Sequence, residues 1–125
     1  MILDTNGLSA FADGDKKLEP ILARADEIAI PVIVIGEYGY GIGQSRHRLR
    51  YEKWLLEILP RIRVLPIDAA TASEYAKVRR DLKRTGRPIP ANDAWIAAIA
   101  RQHKSPLLSR NKHFDFVPGL QRIGW

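Results

Sequence analysis

No cysteine occurs in these 125 residues, which excludes a disulfide framework and any thiolate-held metal. No apolar run approaches the roughly 20 residues that a bilayer-spanning helix needs, so no membrane partner is expected. The first residues show no basic leader, apolar stretch and small-residue cleavage site, and a cytoplasmic protein is the expectation. Internal repeats, linkers and low-complexity tracts are missing too, and residues 1–125 read as one domain with enough chain for a genuine core. Acid is in short supply. Fourteen Asp and Glu stand against twenty Lys and Arg, a formal net charge of +6. Such a surplus favours polyanionic partners, either nucleic acid or an acidic protein segment.

What is present alternates short apolar segments with helical ones, the pattern of an α/β protein with a mostly parallel sheet and right-handed crossovers. Ile2-Leu3 reads as a short buried strand running into Asp4. Leu18, Ile21, Leu22 and Ala25 fall at helical spacing, with Pro20 tolerable only in a first turn. Ile28 to Val32 reads as a second strand, ended by Pro31. Residues 33–43 are ambiguous: Val34 and Ile35 favour strand, Glu37 to Tyr40 allow a helix, and Gly36, Gly39, Gly41 and Gly43 weaken both. Tyr51, Trp54, Leu55 and Ile58 make a helical stripe that Pro60 closes. Ile62 to Ile67 is a third strand. Asp68 is a candidate N-cap for a helix presenting Ala72, Tyr75, Val78 and Leu82 inward and closing at Gly86. A helix from Asn92 or Asp93 is apolar nearly all round and hence buried. Residues 106–109 give a fourth strand and 121–125 an edge strand.

The few acids fall at telling places. Asp4 follows the first strand, where ligands of open α/β sheets collect, although it also suits an N-cap for a helix starting near Gly7. Glu37 sits among Ile33, Val34, Ile35, Gly36 and Tyr38, a setting in which an unpaired carboxylate is costly. Asp93 lies in the first turn of the buried helix, where the helix dipole stabilises negative charge. Gathering the three in one cleft calls for a cation. Hard oxygen ligands without cysteine point to Mg²⁺ or Mn²⁺ rather than zinc.

Four segments, in order, carry a resemblance: MILDTN at the start, IPVIVIGEYGYG around Glu37, GRPIPANDAWIAAIA around Asp93 and SRNKHFDFVPGL near the end. Together they resemble the PIN-domain nucleases, and within them the VapC-type toxins of bacterial and archaeal toxin–antitoxin pairs. The resemblance covers essentially the whole chain. It implies a three-layer α/β/α sandwich around a short parallel sheet, a metal-dependent endoribonuclease, a homodimer and a cognate antitoxin that blocks the toxin.

Carried over position by position, Asp4, Glu37 and Asp93 fall on the first three acids of the family's metal site, with Asp4 and Asp93 as metal ligands. Thr5, Asn6 and Ser109 fall on the small polar residues that support it. The fourth segment departs from the family's Thr-x-Asp-x-Asp-Phe. Asn111 stands where an acid is usual, His113 where a further Asp is frequent, and Asp115 lies one place beyond the phenylalanine. Asn offers a carbonyl oxygen but no charge, which leaves a catalytically weak RNA- or antitoxin-binding module as the alternative. Arginines and lysines in 44–53 and 79–87 are candidates for phosphate contacts, and none of His47, His103 and His113 is assigned a metal or general-base role. A haloacid-dehalogenase-type phosphatase needs an acid two places after the first, where this chain has Asn6, and a phospho-acceptor receiver needs paired acids at the first strand, which are lacking.

Overall fold

The computed structural model describes residues 1–125. Five strands form one sheet: β1 (Ile2–Leu3), β2 (Ala29–Pro31), β3 (Arg63–Leu65), β4 (Leu107–Leu108) and β5 (Arg122–Ile123). All neighbours are parallel, in the order β3-β2-β1-β4-β5. Six helices connect them: α1 (Thr5–Ala12), α2 (Glu19–Ala23), α3 (Val32–Ile42), α4 (Arg48–Ile58), α5 (Ala69–Arg84) and α6 (Ala91–Gln102). Right-handed crossovers put the connections β1→β2→β3 on one face and the return through α5 and α6 on the other. The result is a sheet between two helical layers. No helix is long and apolar enough to cross a membrane.

The strands are short because the apolar runs that specify them are short, and burial compensates. Ile2, Leu3, Ile30, Leu107 and Leu108 are all buried in the core, as expected for a parallel sheet covered on both faces. α3 settles the ambiguity of residues 33–43. Val34, Tyr38 and Ile42, at i, i+4 and i+8, are buried, so packing overrides the poor helix propensity of its glycines. Pro20 occupies the first turn of α2, and Ala25 lies beyond that helix. On α4 the stripe Tyr51, Trp54, Leu55 and Ile58 is half-buried, while Leu49 and Leu56 face outward.

One inward position of α5 is corrected. Ala72 is exposed and Thr71 is the buried residue of that turn, fully out of solvent. The capping geometry explains the swap. Asp68 accepts from the Thr71 amide at 2.9 Å while the Thr71 hydroxyl accepts from the Asp68 amide at 3.1 Å, a reciprocal capping box that turns Thr71 inward. There its hydroxyl also meets Gln102 Oε1 of α6 at 2.5 Å. Thr71→Val keeps the shape and the amide bond to Asp68 but removes the hydroxyl's bonds, and we expect it to lower unfolding stability by about 1–2 kcal/mol in a urea titration, with the native secondary structure retained.

A candidate acidic site at the sheet switch point

The crevice lies between β1 and β4, where connections leave toward opposite faces of the sheet, the place where open α/β sheets bind ligands. Asp4 stands at the end of β1, only 2% exposed. It serves as the N-cap of α1: its Oδ1 accepts from the Gly7 amide at 2.8 Å. Its Oδ2 accepts from the Ser109 hydroxyl at 2.5 Å, reaching across to the end of β4. Capping and site formation are therefore one arrangement. Gly7 is required by the close approach, since a Cβ there would meet the Leu108 carbonyl oxygen at 3.0 Å and Asp4 Oδ1 at 3.3 Å.

Glu37 comes from the middle of α3 and is held from both sides. The Thr5 hydroxyl donates to Oε1 and the Asn92 amide to Oε2, each at 3.1 Å. Asp93, one residue after Asn92, enters from the first turn of α6. Three carboxylates thus arrive from three elements. Burial pushes the Asp4 carboxyl above the ordinary aspartate range, the Ser109 and Gly7 hydrogen bonds hold it back, and the charges of Asp93 and Glu37 push it further up. Asp93 is likewise raised, first by burial and then by Glu37, against the opposing pull of His113.

Two partners escaped the sequence reading. His113, assigned no role there, places Nε2 3.0 Å from Asp93 Oδ2, off the straight line of a good hydrogen bond. Its signal was available, because it occupies a position where the resembling proteins often carry an acid. Asn92 was seen only as a helix start, yet it orients Glu37. Asp115, in contrast, does not join the cluster: both its oxygens are taken by Arg122, at 2.8 and 3.0 Å, and this pairing holds its carboxyl below the usual range. The cause is the 3₁₀ segment Lys112–Phe116, which buries Phe114 and turns the following residue toward β5. Asn111 occupies the N-cap position of that segment without a side-chain cap bond; its backbone N–H donates to the Ser109 hydroxyl oxygen at 3.0 Å, one link from Asp4. Asn6 is exposed, and its side chain forms no hydrogen bond; it lines a cavity of ≈ 280 Å³ with Thr5 and Glu37.

The donors suit a hard cation. They are carboxylate oxygens near enough for the charges of Asp93 and Glu37 to push the Asp4 carboxyl up, and no three Asp, Glu or His side chains converge on one point at ligand distance. Mg²⁺ is commonly held in that way, through one or two carboxylates while keeping several waters.

Carboxylates gathered at the switch point of a covered parallel sheet define an acidic-site α/β protein. The chain belongs to the PIN-domain family, whose domain matches residues 1–120. It is 29% identical over 129 residues to Ribonuclease VapC2 of Rickettsia felis, covering 99% of this chain and 96% of that protein. It is 31% identical over 100 residues to the tRNA(fMet)-specific endonuclease VapC of Shigella flexneri, covering 79% and 76%. In three dimensions it is similar to a chain of VapBC2 from Rickettsia felis, solved bound to a DNA fragment from its promoter. That likeness has a TM-score of 0.86 at 27% identity and covers 99% and 97% of the two chains.

Proposed function

We propose that this protein is a metal-dependent endoribonuclease that hydrolyses RNA phosphodiester bonds as the toxin of a toxin–antitoxin pair, inhibited by its antitoxin. The observation that carries it is the convergence of Asp4, Glu37 and Asp93 in one crevice of a protein with net charge +6, where burial and mutual repulsion hold two of the carboxylates above their ordinary range. The named activities of the similar ribonucleases support the same reading.

Asp4 and Asp93 would hold Mg²⁺ or Mn²⁺. When bound, such an ion lowers the pKa of a water and offsets charge developing on phosphorus. The chain's own residues do the rest. Ser109 and the Gly7 amide fix the Asp4 carboxylate in one orientation. Thr5 and Asn92 hold Glu37 with one hydrogen bond on each oxygen, which leaves lone pairs to orient the attacking water and take its proton. Asn111 supplies no charge, and His113 lies against Asp93.

Chelation is expected to abolish RNA cleavage, and added Mg²⁺ or Mn²⁺ to restore it. Cleavage that persists after chelation removes the metal mechanism. The antitoxin is proposed to lay an apolar segment and a Lys or Arg side chain into the crevice, competing for the same charge. In the same assay such a partner suppresses cleavage. A homodimer is also proposed: Val32 and Tyr40 are exposed on α3 at i and i+8 with Gly36 between them, a face suited to a second copy.

The second reading, a catalytically weak RNA- or antitoxin-binding module, is favoured by Asn111 and by the imidazole against Asp93. RNA binding without cleavage in either metal selects it.

A further inference from the structure

At the carboxyl-terminal end of α5 the chain forms a second cavity, of ≈ 430 Å³, remote in sequence from Asp4 and Glu37. Arg79, Arg80 and Lys83 surround it, Leu82 and Ile89 supply apolar lining, and no carboxylate is among the lining residues. Gly86, with φ of +68°, turns the chain at its rim. The charge distribution is selective. Lys77, Arg84 and Arg101 of the same helical layer are all ion-paired with Glu74 or Asp81, whereas Arg79, Arg80 and Lys83 have no acidic partner. A favourable helix dipole accounts for Lys83 in the last turn, but not for Arg79 more than a turn earlier.

Arg79 is positioned rather than loose. Its guanidinium donates to the Tyr75 hydroxyl at 2.6 Å, and the Tyr75 ring stacks on Trp95 of α6 at 3.9 Å and 15°. The Arg79–Tyr75–Trp95 column thus ties the rim of the cavity to α6, the helix whose first turn carries Asp93. On the other side, Arg87 lies 4.4 Å over the half-exposed ring of Phe116, on the segment that carries His113. Cations around a cavity, followed by an arginine–aromatic platform, then acids: this is the order in which a single strand meets phosphate contacts, a stacking surface and a cutting site.

We propose that the Arg79–Arg80–Lys83 cavity binds the phosphodiester backbone of the RNA strand away from the scissile bond, with Arg87 and Phe116 as the stacking step between the two sites. This rests on the ribonuclease reading for its substrate. An acidic protein segment would satisfy the charge, but the neighbouring arginine–aromatic platform, on the segment whose His113 lies against Asp93, favours the nucleic acid.

The test is binding of a labelled single-stranded RNA oligonucleotide to the full chain in EDTA, over a range of salt. It compares the wild type with Arg79→Gln/Arg80→Gln/Lys83→Gln, changes that keep helix propensity. The triple variant is expected to bind about tenfold more weakly, and its log–log salt slope to fall by about two, each single-strand phosphate contact contributing about 0.7. With metal present, KM rises while kcat holds. Tyr75→Phe, which keeps the stack and removes the acceptor of the Arg79 hydrogen bond, gives a smaller loss in the same direction. Unchanged affinity and slope overturn the proposal, as does a loss explained by a change of oligomeric state in sedimentation, which would make the occupant a second copy. RNA binding that depends on these residues without any cleavage leaves the site standing and removes the nuclease reading instead.

Discussion

Asp4→Asn is expected to abolish RNA cleavage, by at least about 100-fold given what even supporting residues of a metal site contribute, while leaving the metal-free protein as stable as the wild type or more so at neutral pH. The two halves follow from the same burial. The Asp4 carboxyl is raised above 3.8, chiefly by desolvation and further by Asp93 and Glu37. Between the unfolded and folded pKa values the native state holds a proton that the unfolded chain has released. Stability therefore falls as pH climbs through that window, and at neutral pH the wild type carries the whole penalty of a buried charge. Asn carries none. Its carbonyl still accepts from the Gly7 amide, and its NH₂ can donate to the Ser109 oxygen, so the cap survives. The stability difference should be largest near neutrality and close as pH falls toward 3.8, measured by thermal unfolding in EDTA. Divalent cation should reverse it, stabilising only the wild type. A variant that loses cleavage by unfolding would show the opposite profile.

Asn111→Asp is expected to act in the other direction, tightening divalent-cation binding and raising cleavage by about 10- to 100-fold. Asp, like Asn, suits the N-cap position that residue 111 occupies, and the side chain there makes no cap bond to lose, so the substitution carries little folding risk. It adds a negative charge to the residue whose backbone N–H is one hydrogen-bonded link from Asp4, through Ser109. Mg²⁺ gives up its waters reluctantly and relies on charged oxygen ligands, so the gain should exceed that for Ca²⁺. Without cation the same charge adds repulsion to Asp4 and Asp93, and thermal stability should drop slightly. Calorimetric titration of both forms, with an RNA cleavage assay alongside, decides the matter. Equal affinity and equal rate would put residue 111 outside the site.

The elements that were readable from sequence are those whose local chemistry and packing agree. Asp68 and Gly86 mark the ends of α5, Pro31 marks the change from β2 to α3, and the apolar circumference of α6 announces a buried helix. The ambiguity of residues 33–43 had a physical source. Glycine propensity and the buried spacing of Val34, Tyr38 and Ile42 oppose each other, and only tertiary packing decides. Ala72 misled because alanine on a helix fits either face, while Thr71 is turned inward by its cap and by Gln102, 31 residues away. Among the site residues, Glu37 stood out by its improbable surroundings, whereas Asp4 and Asp93 sit where a cap or first-turn acid is ordinary and were joined to it by the order of the resembling segments. Asn92 and His113 did not stand out, because an amide or imidazole declares its partner only when the partner is in place. Asp115 was drawn toward the site by proximity in sequence, and Arg122 takes it elsewhere.

The Asp4–Ser109 contact spans 105 positions, and β1 sits between β2 and β4. Loop-closure entropy must be met before that pairing yields anything in return. A chain emerging from the ribosome can form α1 and its cap early. It cannot complete the crevice until β4 has left the exit tunnel, more than about a hundred residues behind β1. A chain that stops short of β4 thus has Asp4 capped by Gly7 but without the Ser109 hydroxyl that holds its second oxygen, so a half-made chain carries no finished site.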